Sequence, residues 1–207
     1  MVEQYLNNRF LVLYITPLLL GLLTVFSFQP FNFSILNFFI LPLFFYFIVF
    51  IKKKSRSTYR KKPYRKNLFI FGTIFGFSFF LSNIHWITNS LTFDENFKIL
   101  IPFGLILIPL FLSLFFSLVT IIVGPLLSLN LPSIIFFSAS LAVSDFIRAK
   151  ILTGFPWNLW VYSFSSLTEV IQVLNIIGLF AFNLLSITIF LLPAVLFLKL
   201  DFVKKIL

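Results

Sequence analysis

Between two long, almost uncharged apolar runs sits a basic loop, Lys52–Lys66, reading KKKSRSTYRKKPYRK, with nine Lys or Arg in fifteen residues and no acid. Lys and Arg close to the end of a spanning segment resist translocation, so a loop like this is held on the cytoplasmic side. It predicts the direction of every segment around it. A helix needs about 20 apolar residues to cross about 30 Å of hydrocarbon. Six runs meet that length: 10–28, 31–51, 68–88, 99–123, the short 131–147, and a crossing within 170–198. The last run is longer than one span needs, and its early part is expected to lie along the interface. Backbone polar groups in lipid must be satisfied internally, which predicts helices. The expected fold class is therefore all-α, a polytopic membrane helical bundle of about six transmembrane helices with a cytoplasmic N-terminus, forming a single membrane domain over 1–207.

Composition removes several function classes. Hydrophobic residues make up 60% of the chain, charged residues 11%, and the mean hydropathy is +1.07. A soluble domain holds about 45–50% apolar and about 25% charged residues. The net charge of +10 invites a nucleic-acid partner. That partner is rejected, because thirteen of the sixteen basic residues fall where cytoplasmic anchors belong. They are Arg9, the nine loop residues, Lys199, Lys204 and Lys205. Such clusters attract anionic lipid headgroups. The absence of cysteine excludes disulfides, thiolate metal sites and a cysteine nucleophile within this chain. The one histidine, His85, excludes a multi-His metal site, and no cofactor is expected. The 33 Phe read as bilayer-facing bulk or as the product of an AT-rich genome. The N-terminal MVEQYLNNR is barely basic and no small-x-small site follows, so it reads as an uncleaved anchor.

With the basic loop inside, the stretch 124–130 and Lys204–Lys205 are also inside. The turn 28–31, the loop 92–98 with Asp94 and Glu95, and the segment 148–169 are outside. Pro17, Pro42, Pro102, Pro109 and Pro193 are expected to kink spans or sit in end turns. Gly72 and Gly76 have the small-xxx-small spacing that lets two helix backbones approach, and read as packing.

Two polar stretches need explaining. SNIHWITNS carries Asn83, His85, Trp86 and Asn89. It reads either as an interfacial belt or as a polar lining for a lipid headgroup. His85 has no acid nearby in sequence, which makes it poor evidence of proton chemistry. In SDFIRAKILTGFPWNLWVYSF, Asp145 and Arg148 are three apart and share a helix face. They form a candidate structural pair, offsetting part of the roughly 3 kcal/mol that an acid costs at the bilayer centre. Gly154 and Pro156 break the helix, and Trp157, Trp160 and Tyr162 follow at once. This turn reads either as an anchored loop or as a shaped floor for a substrate.

Three stretches in this order, FSFQPFNF, GFSFFLSNIHWITNSL and DFIRAKILTGFPWNLWVYS, resemble the membrane part of bacterial apolipoprotein N-acyltransferase. The LTGFPW run, Leu152 to Trp157, followed by Tyr162-Ser163, is the more specific match. Asp145 stands where a Glu is familiar, and Val161 where a Gly is. The resemblance implies transfer of an acyl chain from a phospholipid donor to the N-terminal cysteine amine of a diacylated lipoprotein, in the bacterial inner membrane, with turn 153–162 periplasmic. In that chemistry a thiolate takes the acyl group and an amine then removes it. The Glu-Lys-Cys triad lies in a nitrilase-like catalytic domain outside this chain, so no catalytic residue is expected here. The chain reads as the N-terminal membrane portion of such an enzyme: a gene fragment, a truncated piece or a split protein. Trp86, Trp157 and Tyr162 are the implied lipid or substrate contacts. Two alternatives are a non-enzymatic or degenerate scaffold and a small lipid transporter. The transporter predicts polar residues deep in several spans, and only Asn37, Gln172, Asn175 and Asn183 are scattered there.

Overall fold

The computed structural model describes residues 2–55, 61–151, 154 and 156–199. Residues 56–60 of the basic loop, three members of LTGFPW (Leu152, Thr153 and Phe155) and the Lys204–Lys205 pair lie outside the described residues. Among the described residues the apolar helical stretches include α1 (Leu11–Ser27), α2 (Ser34–Lys54), α3 (Tyr64–Thr92), α4 (Glu95–Leu126), α5 (Leu131–Lys150) and α6 (Leu179–Phe197), with a shorter one at Thr168–Ile177 before α6. From α2 to α6 each is long and apolar enough to cross a membrane, and α1 is shorter. No strand occurs among the described residues. The fold is an all-α polytopic membrane bundle.

Proline placement accounts for most irregularities. Pro17 cannot donate a backbone hydrogen bond, and its ring crowds the preceding turn. The chain answers with a π-helical segment, Leu11–Ile15, before the α-helical Thr16–Leu23, and tightens to a 3-10 turn at Thr24–Ser27. Pro102 starts the α-helical part of α4, while Pro42 and Pro109 sit inside helices. Pro193 lies in the break between Leu179–Leu191 and Ala194–Lys199. The run expected to cross within 170–198 begins with two short helices, Thr168–Ile171 and Leu174–Ile177, and turns at Gly178 into α6. Asn130 starts α5 by accepting the Ser133 N–H at 2.9 Å, with Pro132 in the first turn, the usual N-terminal chemistry.

Two ends of the bundle differ in character. At one end the basic loop begins, Arg9 donates to Asn67 at the start of α3, and the Lys52 ammonium donates to the Leu127 carbonyl at 2.8 Å. At the other end α1 meets the end of α3, where the Asn83 amide donates to the Thr24 hydroxyl at 2.9 Å.

The phenylalanines correct one expectation. Many of them form the core instead of facing lipid. Phe44 is fully buried and stacks on Phe75 at 4.0 Å, with Phe71, Phe116 and Phe137 around it. Without a strong hydrophobic drive between helices in lipid, dense contact and small residues decide association. The broad face of α3 supplies both. Gly72 and Gly76 lie against Ser113, Phe116, Ser117 and Thr120 of α4. The close approach lets the Thr120 hydroxyl donate to the Leu68 carbonyl at 2.9 Å and brings the Thr73 and Ser117 hydroxyls to 2.8 Å. A Cβ on Gly76 would stand 2.8 Å from the Ser113 Cα. Gly76→Leu is therefore expected to destabilise the protein by about 1–3 kcal/mol, read as a lowered melting temperature in detergent with helical content retained before melting.

Candidate functional site

An acid and a base three residues apart on α5 set up the site. Arg148 Nη2 lies 3.0 Å from Asp145 Oδ1, and both side chains are buried, at 2% and 9% exposure. A buried ion pair survives only if its remaining donors and acceptors are satisfied. Here they reach into two other elements. The Asn183 amide of α6 donates to Asp145 Oδ2 at 2.9 Å, and its oxygen accepts the Val161 N–H at 3.1 Å. Arg148 Nη1 donates to the Trp157 carbonyl at 2.8 Å. The guanidinium also lies over the Phe80 ring of α3, 5.2 Å from its centroid, an attraction strengthened by desolvation.

The segment after α5 is thus held at two backbone points, the Trp157 carbonyl and the Val161 N–H. Gly154 makes the exit from the helix possible. Its φ is +78°, its N–H donates to the Ile151 carbonyl, and a Cβ there would stand 2.6 Å from the Ala149 carbonyl oxygen. Pro156 follows within the same turn, and Asn158 has a positive φ of 55°. Leu159, Trp160 and Val161 then bury their side chains, with Trp160 packed on Phe79 at 5.3 Å between ring centroids.

Of the residues singled out in the sequence, Trp86 and Trp157 come together. Their rings meet edge to face, 5.3 Å between centroids and 69° between planes, and both are roughly half exposed. Such a pair adds about 0.5–1.5 kcal/mol beyond its buried area. The Trp86 indole N–H donates to the Asn83 carbonyl at 3.1 Å, which fixes that ring on the 3-10 end of α3. Tyr162 is half-buried and packs against the Leu159, Val161 and Phe182 cluster. Burial pushes its phenol above the ordinary tyrosine range while the Arg148 charge pulls it down, so the hydroxyl stays protonated at neutral pH. Asn83 is buried and clamps α3 to α1, whereas His85 and Asn89 are exposed.

Sequence reasoning missed Asn183, which it placed among scattered polar residues. The available signal was a lone amide in the apolar run LFAFNLL, where an unpaired amide would be costly. A second feature it did not anticipate is a groove of about 580 Å³ between α4 and α5, lined by residues including Phe115, Leu118, Val119, Val143 and Ile147. Its wall is almost wholly apolar, because Ser140 and Ser144 turn their hydroxyls onto the Phe136 and Phe115 carbonyls. Among the described residues no cluster of His, Asp or Glu could hold a metal ion. The site can hold a backbone turn rigid and offer an aromatic surface beside an apolar groove.

Removing one partner of the buried pair should cost more than removing the residue that bridges it. Asp145→Ala leaves a buried guanidinium without its carboxylate and is expected to lose about 3–5 kcal/mol. Asn183→Leu strands Asp145 Oδ2 and the Val161 N–H, with an expected loss of about 1–3 kcal/mol. Denaturation of the purified protein in detergent measures both, and wild-type stability in Asn183→Leu would show the bridge to be dispensable.

Residues 20–192 match the family model described as apolipoprotein N-acyltransferase N-terminal domain. The chain is 34% identical over 126 residues to the apolipoprotein N-acyltransferase of Brucella melitensis, covering 60% of this chain and 24% of that protein. It is 32% identical over 126 residues to the one of Rhodopseudomonas palustris, covering the same shares. With the Bradyrhizobium diazoefficiens enzyme it shares 28% identity over 177 residues, which is 85% of this chain and 32% of that one. The matched region thus spans about a quarter to a third of the length of these curated relatives. The family-model match extends over most of the chain and takes in the Trp86–Trp157 pair and the Asp145–Arg148–Asn183 network, and the chain belongs to the apolipoprotein N-acyltransferase N-terminal domain family.

Proposed function

We propose that this chain is the membrane module of an apolipoprotein N-acyltransferase of the bacterial inner membrane. It serves lipoprotein maturation by docking two lipid substrates, a phospholipid acyl donor and the diacylglyceryl anchor of a lipoprotein. The nucleophile, general base and oxyanion-stabilising cation of acyl transfer belong to the nitrilase-like domain that the family resemblance implies, and none is assigned to this chain. Trp86 and Trp157 contact lipid or substrate at the floor of that domain. Tyr162 supports the floor from below. Asp145, Arg148, Gly154 and Pro156 hold its shape.

The observation that carries this reading is the half-exposed tryptophan pair, Trp86 at the end of α3 against Trp157 on a turn whose backbone is tethered at Trp157 and Val161. Half-exposed indoles favour headgroup depth. The α4–α5 groove ends at Ile147 and Ile151 and offers an acyl chain an apolar wall toward the same end of the bundle. A site of this kind binds by shape and apolar contact, leaving chemistry to groups delivered from above.

The chain reconstituted in vesicles with a phospholipid carrying a photoreactive diazirine near the ester tests the docking role. Cross-links are expected on residues 83–92, on 156–164 and along the α4–α5 groove, and a diacylated lipopeptide should compete for them. Trp157→Ala should lower tagging of the turn severalfold while leaving tagging of α1 unchanged. Tags spread evenly over all lipid-facing helices would overturn the docking role.

The orientation that puts this turn in the periplasm is tested independently. Because the chain has no cysteine, a single introduced one reports cleanly. A membrane-impermeant maleimide added to cells with a permeabilised outer membrane is expected to label Asn89→Cys at once and Lys61→Cys only after lysis. The reverse order would invert the topology and remove the proposed docking role from the tryptophan turn.

A further inference from the structure

At the basic end, about 25 Å from the tryptophan turn along α3 (the rise from Asn67 to Asn83), lies a second built cavity. Its volume is about 240 Å³. Its floor is apolar, with Val12, Leu13, Phe50 and Ile51 all buried. Its rim is cationic. Arg9 and Lys54 line it, and no acidic residue does among those whose side chains are described.

The rim is organised by hydrogen bonds. The short N-terminal helix Val2–Asn7 folds back so that the Tyr5 hydroxyl meets the Thr16 hydroxyl at 2.6 Å and Leu6 is buried in the core. That places Arg9 over the start of α3. Arg9 Nη2 donates to Asn67 Oδ1 at 2.9 Å, and the Asn67 amide donates to Ser55 Oγ at 2.8 Å. Asn67 is 8% exposed, so a buried amide aims the guanidinium. Asn67 is the one hydrogen-bond partner of Arg9 among the described residues, and a guanidinium carries five N–H donors. Lys54 extends past the Phe50 ring, its ammonium 6.0 Å from the centroid.

Two cations on one rim favour an anion, and planar guanidinium donors suit phosphate oxygens. A soluble anion has no use for the apolar floor. The floor continues into α1 and α2, and the cations sit just before the start of α1 and at the end of α2, where the basic loop begins. An amphiphile with an anionic phosphodiester head meets both halves. We propose that this cavity is a structural binding site for one anionic phospholipid of the phosphatidylglycerol type, with the phosphate on Arg9 and Lys54 and the glycerol and first methylenes on the floor. The bound lipid ties the N-terminal helix, α2 and α3 together, and it is separate from any lipid docked at the tryptophan turn.

Native mass spectrometry of the delipidated full chain in detergent tests the site. It is titrated separately with phosphatidylglycerol, phosphatidylethanolamine and inorganic phosphate. One phosphatidylglycerol is expected to bind ahead of phosphatidylethanolamine. Arg9→Gln and Lys54→Gln should each weaken it about fivefold. Arg9→Lys should keep most of the affinity, and Lys98→Gln at the far end should change nothing. Lys54 is exposed at a helix end, so Lys54→Gln carries the test if Arg9→Gln loses its helical circular dichroism. Equal binding of the two lipids, or an unchanged affinity in Lys54→Gln, would overturn the proposal. Competition by millimolar phosphate as effective as the lipid would mark a soluble-anion site instead and overturn it too.

Discussion

A charge in an apolar interior must be neutralised and hydrogen-bonded, and the tryptophan end of this bundle is arranged around that requirement. Asp145 and Arg148 sit one helical turn apart on α5, and both side chains are buried. Alone, the pair would offset part of its own desolvation. The rest comes from partners that a single helix cannot provide: the Asn183 amide, the Trp157 carbonyl and the Phe80 ring. Three elements must therefore be in register before the pair is stable. The cost of burying charge becomes a constraint on geometry, with α5, α6 and the turn between them locked to one another and α3 drawn in beneath.

The opposite strategy holds α3 to α4. There the contact is made by removing side chains, with Gly72 and Gly76 admitting backbone to within reach of Ser113, Ser117 and Thr120. The hydroxyls then satisfy themselves on neighbouring carbonyls and on each other. Small residues allow dispersion contacts that lipid tails cannot match. Phe44 and its ring of aromatic neighbours fill the space that this close approach leaves on the other side. The two strategies divide the bundle into an apolar packed body and a polar knot at one end.

Much of the body was legible in the chain. The all-α membrane class follows from long apolar runs, because the hydrocarbon thickness sets a length that any spanning helix must meet. The ends were less so. α3 continues as a 3-10 helix through His85–Thr92, and α4 begins with another at Glu95–Leu100, since apolarity says nothing about which helical hydrogen-bond pattern a terminus adopts. The shape of α1 depends on where Pro17 falls relative to the carbonyls before it. At the site, the spacing of Asp145 and Arg148 is a local property and readable. Their tie to Asn183 spans 38 residues and depends on how α5 and α6 pack, which periodicity does not encode. The meeting of Trp86 with Trp157 is of the same kind. The phenylalanines misled for a related reason: an apolar side chain in a membrane protein suits lipid and core equally, so composition cannot sort them.

What the knot achieves follows from where its donors point. Arg148 and Asn183 spend two of their bonds on backbone groups of the segment after α5, one on a carbonyl and one on an N–H. A loop held only by side-chain packing can shift with each contact it makes. A loop held by its own backbone keeps its path when the side chains above it are engaged, and ordering has then been completed before a ligand arrives. That lowers the entropy lost on binding. Trp157 is tethered through its carbonyl, which leaves its indole half exposed against Trp86. A tethered point of the turn thus presents a half-exposed indole, and the proposed docking role rests on that geometry.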